Sequence, residues 1–218
     1  MSPDRTFVLR SCPDLNIIRI RPPQPELKEG RRHLVVYLGV MGPQDGVDLL
    51  LESIACLTKL RNCEDTLFVL IGAGPELPRL KVLASQKGLE GLVRFPGRLA
   101  AEDFAPYFST AAFGVAPDPP TPMNDKSTMN KILEYMAFGL PVVLYDLTEG
   151  RRSAGDAALY AHNGDPEDFA QKMLTLLDNE GLRKELGARA RKRIEDELNW
   201  DNEKGALLEA YAAALQRP

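Results

Sequence analysis

The sequence predicts an α/β domain in which a mostly parallel sheet is covered by helices on both faces, with extra helices at its C-terminal end. Two observations predict it. Short, near-continuous apolar runs recur along the chain, as strands buried on both faces require. Between them lie amphipathic segments or tight loops, the β-α-β rhythm of parallel crossovers. The 218 residues, 44% hydrophobic and 27% charged, suit a single fairly large domain spanning residues 1–218.

The strands expected, in order, are "TFVLR" (6–10), "HLVVYLG" (33–39), "TLFVLIG" (66–72), "LVRFPG" (92–97), "AAFGVAP" (111–117), "PVVLYD" (141–146) and "AALYA" (157–161). The clearest helices sit between them. "DGVDLLLESIACLTKL" puts Leu50, Leu51, Ile54 and Leu57 on one face, and "PELPRLKVLASQKG" ends in glycine, a common helix stop. "DPEDFAQKMLTLLDN" opens with Asp165 as N-cap, Pro166 in the first helical position and Asp168 at N3, close to a capping box. After residue 162 strands give way to helices. The Pro-rich, charged "PPQPELKEGRR" (22–32) reads as an exposed loop or linker.

The net charge of −4 and a pI near 5.4 provide no global basic field for nucleic acid or an acidic membrane. Cys12, Cys56 and Cys63 form no CxxC and have no histidine at ligand spacing, which points to reduced thiols and a cytoplasmic protein. The first residues lack a signal-peptide apolar region, and no run approaches the ~18 residues that span a bilayer. A peripheral membrane role stays open. The basic "RKELGARARKRIEDEL" (183–198) interleaves its cations with carboxylates, as a solvated helix face does.

In an open parallel sheet, ligands bind at the carboxyl ends of the strands. There the chain carries Gly39 and Gly42 in "YLGVMGPQDGVD", and Gly72 and Gly74 in "LIGAGPEL". Backbone amides in such turns can meet a phosphate; equally, the turns can be close-packed β-α connections. The first is not a Walker A loop, and the second lacks the third glycine (Leu77) and the following acidic residue of a dinucleotide site.

"NDKSTMNKILEYMAFGLPVVLYD" (124–146) is the most telling stretch. At about 100° per residue, Met129, Ile132, Leu133 and Met136 share an apolar face, with Lys131 and Glu134 opposite. With Ser127 or Thr128 as N-cap, Lys131 falls in the first turn, where a cation is unfavourable unless an anion such as a diphosphate is present. Glu134, a turn deeper, can accept two hydrogen bonds from the vicinal hydroxyls of a ribose. The plain alternative is an exposed Lys-Glu pair three residues apart.

"NKILEYMAFGLPVV" closely resembles the donor-site segment of the group 1 (family 4) retaining glycosyltransferases of GT-B fold. "LVVYLGVMGPQDGVDLLLESI", "FVLIGAGPELPRL", "VRFPGRLAAEDFAPYFSTAAFGVAP" and "LNWDNEKGALLEAYAAAL" resemble the family's surrounding elements in order, so the likeness covers essentially residues 6–215. It implies a three-layer Rossmann-like domain, one half of a GT-B fold, with interdomain linker within residues 1–30. It implies donor contacts from Gly39, Gly42, Gly72, Gly74, Arg98, Ser127, Thr128, Asn130, Lys131 and Glu134, with the main chain of Phe95 to Arg98 facing the base.

The family's segment carries two glutamates eight positions apart. Glu134 matches the second, and the first falls on Lys126, with Asp125 beside it; these two are the candidates for the catalytic position. The diphosphate-gripping Arg and Lys are also absent, Val40 following Gly39 and Asp45 preceding Gly46. Lys131, helped by Arg98 or Arg151, is the expected substitute.

The resemblance thus implies the donor-binding half of a transferase that takes a sugar from a nucleoside diphosphate, UDP ahead of GDP on family frequency, without a metal or other cofactor. An N-terminal acceptor-binding domain or subunit is missing, the acceptor being a saccharide or lipid-linked, and the isolated domain is expected to be inactive. A nucleotide-sugar epimerase half and a non-catalytic binding module stay open as alternatives. His33 and His162 are expected to play structural roles.

Overall fold

The computed structural model of the chain describes residues 6–215. Six strands form one sheet: β1 (His33–Leu38), β2 (Thr66–Ile71), β3 (Val93–Gly97), β4 (Phe113–Ala116), β5 (Val142–Tyr145) and β6 (Ala158–Ala161). Every pairing is parallel, and the order is β3-β2-β1-β4-β5-β6. The helices are α1 (Val47–Leu60), α2 (Leu77–Gln86), α3 (Ala101–Thr110), α4 (Asn130–Ala137), α5 (Thr148–Ala154), α6 (Pro166–Asp178), α7 (Glu180–Asp196) and α8 (Trp200–Leu215). This is the Rossmann-like architecture expected.

Alternation along each strand builds two cores. Val35, Tyr37, Phe68 and Leu70 pack with α1, α2 and α6. Their neighbours Leu34, Val36, Leu67 and Val69 pack with α3, α4 and the Ala190–Ile194 part of α7. All six residues of β2 are buried, which is why its sequence shows no polar alternation. Fully burying one such Leu, Val or Phe is worth about 1.5–3 kcal/mol.

At α6 the Asp165 side chain caps the helix, accepting from the amides of Glu167 at 2.9 Å and Asp168 at 3.1 Å. The capping box is only half made, because Asp168 Oδ2 accepts from the His162 amide instead of the Asp165 amide. α7 is laced by pairs four residues apart, including Lys184–Glu180, Arg189–Glu185 and Lys192–Asp196, which makes its charge run a solvated face.

Residues 6–10 are not a strand. The segment pairs with no strand of the sheet. Its Arg10 is held instead by Glu203 through the backbone amide and by Glu149 through the guanidinium. Phe7, Val8 and Leu9 are consequently 39%, 68% and 45% exposed. The 22–32 segment is more ordered than a plain loop: it contains a 3-10 turn, Pro25–Lys28, and the Gln24 amide donates to Thr110 Oγ1 at the end of α3.

The loops following β1 and β2 touch backbone to backbone. Gly72 has a φ of 148°, and a Cβ there would lie 1.8 Å from the Gly39 carbonyl oxygen. Gly72→Ala is therefore expected to cost about 2–4 kcal/mol in urea unfolding. Gly88→Ala, at a φ of 69° but facing open space, should cost only about 1 kcal/mol.

Candidate functional site

The strand order reverses between β1 and β4, and the crevice at their carboxyl ends is where a ligand site belongs in this architecture. The loops that follow these two strands form its walls. Asn124, buried, ties them together by donating to the carbonyls of Gln44 at 2.9 Å and Pro119 at 3.0 Å. Gly46, at a φ of 66°, lets the start of α1 sit against Pro117, whose oxygen would lie 2.1 Å from a Cβ there.

The four loop glycines come together at this end of the sheet, mainly through close packing. Gly74 abuts the Met41 carbonyl as Gly72 abuts that of Gly39. The Gly42 amide is already occupied, donating to Asp45 Oδ2 at 2.9 Å. The Met41 amide donates to Ala73 O at 3.1 Å, and that of Glu76 to Met41 O at 3.0 Å. Of the two readings of these turns, close-packed connection and phosphate cradle, the first accounts for Gly72 and Gly74 without a ligand.

α4 departs from its expected start. Met129, not Ser127 or Thr128, is the N-cap, and no side chain caps it. Ser127 Oγ donates to Met123 O, and Thr128 Oγ1 lies 3.4 Å from both Arg10 Nη1 and Glu149 Oε2. Asn130 opens the helix and is exposed.

Lys131 is not on a solvated face. It is 8% exposed, with Nζ 2.6 Å from Asp118 Oδ1 and 5.2 Å from the Tyr37 ring centre. Lys131 lies opposite the apolar stripe as its helical angle predicts, but the loops of β1 and β4 cover it there. Lys131 pairs with Asp118 rather than Glu134, so its charge is already balanced within the protein. Asp118 is itself 3% exposed.

The Glu134 carboxylate makes no hydrogen bond or ion pair with any described residue. Burial pushes its pKa up to about 7, with Lys131 opposing the shift. It lines a cleft of about 410 Å³ with Leu9, Arg10, Cys12, Asn130 and Trp200. The segment 9–13 forms a wall because the Trp200 amide donates to Pro13 O at 3.1 Å.

The other expected residues divide. Arg98, after β3, is exposed and makes no hydrogen bond or ion pair among the described residues. Arg151 is engaged by Asp146 through two nitrogens, at 2.7 and 2.6 Å, and lies over the Tyr160 ring. Asp125 accepts from the amide and hydroxyl of Thr148 at 2.8 and 3.0 Å, which holds its pKa below the usual carboxylate range and commits it to the start of α5. Lys126 is exposed beside it. His33 is buried at the start of β1, and His162 Nδ1 lies 2.7 Å from Asp168 Oδ2.

Sequence reasoning missed Asp118, Asn124 and Arg10. For Asp118 a signal existed: a carboxylate immediately after an apolar strand, in "APDPPT", stands at the carboxyl end where polar groups converge. Among the described residues no three His, Cys, Asp or Glu side chains gather to hold a metal ion, and no helix is long and apolar enough to cross a membrane.

Residues 32–179 match the sequence profile of the family described as glycosyl transferases, group 1. The chain belongs to that family. A D-inositol 3-phosphate glycosyltransferase of Thermomonospora curvata is 29% identical over 97% of this chain and 52% of its own length. HepE of Anabaena, crystallised with UDP and glucose, superimposes with a TM-score of 0.81 at 17% identity, covering 94% of this chain and 56% of HepE. The C-terminal domain of a group 1 glycosyl transferase of Francisella tularensis superimposes with a TM-score of 0.72 at 16% identity, over 86% of this chain and 98% of that domain. This group 1 chain spans about half the length of the curated relatives it matches, 46% and 40% for two others.

Two outcomes test the site's electrostatics. Lys131→Met leaves Asp118 buried without its cation and should cost about 3–5 kcal/mol, whereas Lys131→Met with Asp118→Leu should recover much of that loss; chemical denaturation of both measures it. Glu134 titrates near 4.5 when unfolded and about 7 when folded. The folded state therefore holds the extra proton between those values, and stability falls as pH rises through that window. Glu134→Gln should stabilise the protein by about 1–3 kcal/mol above pH 7 and change little below pH 4.5, as thermal unfolding across pH will show.

Proposed function

We propose that this chain is the donor-binding half of a glycosyltransferase, binding a nucleoside diphosphate sugar at the carboxyl ends of β1 and β4. The observation that carries the reading is the Glu134 carboxylate, largely removed from water with no protein donor to satisfy it. A carboxylate in that state is costly alone and becomes favourable when two hydroxyls donate to it. The vicinal hydroxyls of a ribose have that spacing.

Around it, Gly39, Ser127, Thr128 and Asn130 border the phosphate path, and exposed Arg98 is the cation available to the nucleotide. Lys131 acts through Asp118, setting the field at the crevice rather than gripping phosphate as a bare charge. UDP is the first choice of nucleotide, GDP the second; the UDP bound to HepE supports that order. The bond from the anomeric carbon to the diphosphate oxygen breaks, the acceptor oxygen bonds to that carbon with retained configuration, and the acceptor's proton leaves with the nucleoside diphosphate. Positive groups at the phosphates stabilise the charge that builds there, and no divalent metal or other cofactor takes part.

A saccharide or lipid-linked acceptor docks on an N-terminal half or subunit, and the isolated chain does not transfer. Exposed Phe7, Val8 and Leu9, with Leu208, Tyr211 and Leu215 of α8 at 65%, 62% and 83% exposure, offer that half an apolar seat. The work is cytoplasmic, at most peripheral to a membrane. A binding module without catalysis is the second reading, favoured by Lys126 at the place of the first glutamate and by the engagement of Asp125 with Thr148.

Calorimetric titration with UDP tests the donor reading. Glu134→Ala should weaken binding by about 1–3 kcal/mol, and unchanged affinity would remove Glu134 from the nucleotide site.

A further inference from the structure

The other end of the sheet carries a second feature. A cleft of about 550 Å³ opens at the amino ends of β1, β4 and β5, beside His33, Ala112 and Pro141. Lys28, Arg32, Arg183 and Lys184 line it, against one carboxylate, Glu180. That carboxylate is already taken, lying 2.7 Å from Lys184. Arg32 is exposed and has no ion pair among the described residues. Arg183 is half-buried, and its guanidinium donates to the carbonyls of Leu176 and Leu177 rather than to any carboxylate.

The surplus of positive charge acts on its neighbours. Burial first, then Arg183, Arg32 and Arg61, pull the His33 pKa down to about 4, and Asp65 only partly opposes them. Burial and Arg32 likewise lower that of Arg183, with Glu180 opposing. On a chain of net charge −4, a cleft lined by four cations and one carboxylate that is already paired is a local exception that an anion would relieve.

We propose that this cleft is a binding site for a small phosphate-bearing anion, gripped by Arg32 and Arg183, at the end of the sheet opposite the nucleotide crevice. Guanidinium groups suit the purpose because their forked donors match phosphate oxygens. The phosphate can be that of a soluble compound or of a lipid headgroup, since the recognising chemistry is the same.

The chain's two histidines provide the test. His33 lines the cleft, and His162, at the far end of β6, is a built-in control. Inorganic pyrophosphate is titrated into the whole chain with UDP at saturating concentration, and both imidazole Cε1 protons are followed by NMR across pH. The expected result is a saturable shift of His33 alone, with its midpoint rising by about one unit as the anion neutralises the field. Arg32→Glu should weaken this binding at least tenfold while leaving UDP affinity and thermal midpoint unchanged.

Co-sedimentation with phosphatidylglycerol and phosphatidylcholine vesicles distinguishes the sources. Retention by the anionic vesicles that Arg32→Glu abolishes, without a pyrophosphate response, assigns the site to a lipid headgroup. A silent His33 together with no Arg32-dependent vesicle binding overturns the proposal. So does pyrophosphate binding that UDP displaces and Arg32→Glu leaves intact, because the anion would then occupy the nucleotide crevice.

Discussion

The buried contact between Lys131 and Asp118 is the constraint around which the carboxyl end of the molecule is arranged. A charge removed from water needs a partner with good geometry, and this one joins the second residue of α4 to the loop leaving β4 at 2.6 Å. It fixes the helix start against the sheet and brings the β4 loop to where Asn124 can reach the Gln44 carbonyl. The β1 loop, held on that side by Asn124, is held on the other by the β2 loop through Met41 and Ala73. Three loops from different parts of the chain thereby behave as one wall. Glu134, one turn along α4 from Lys131, is presented by a rigid support and left unsatisfied, an arrangement that costs stability and makes sense at a binding site.

Much of this was legible in the sequence. Apolar runs without alternation gave away doubly covered strands, because β1 and β2 lie inside the sheet and meet helices on both faces. Asp165 and Pro166 announced α6 because capping is local chemistry that needs no tertiary information. Glu134 stood out because its spacing within a recognisable segment survives even where the surrounding pattern is broken.

What could not be read was decided by what comes to lie against a surface. The polar side of α4 reads from the sequence as facing either a ligand or solvent, and loops far away in sequence cover Lys131 on that side. "TFVLR" has the composition of a strand, yet pairing requires a vacant edge within reach, and the chain passes Arg10 to Glu149 and Glu203 instead. Asp125, which the resemblance places beside a candidate catalytic position, is engaged by Thr148, a contact that only the fold reveals. The two ends of the sheet also differ electrostatically in a way composition hides: the overall negative charge conceals a cluster of cations where β1, β4 and β5 begin.

The pairing of Arg10 with Glu203 spans 193 residues, and with the Trp200–Pro13 contact it stitches the first described residues to the last helix. Contacts of such sequence separation form only after the intervening chain has condensed, because loop closure must precede them. Since α8 has no buried residue of its own, little holds it in place until that stitch is made. The cleft beside Glu134 borrows one wall from each partner in the stitch, so it matures last. As the chain folds, the sheet can assemble from its own strands, while the pocket beside Glu134 stays unfinished until α8 docks against the 9–13 segment.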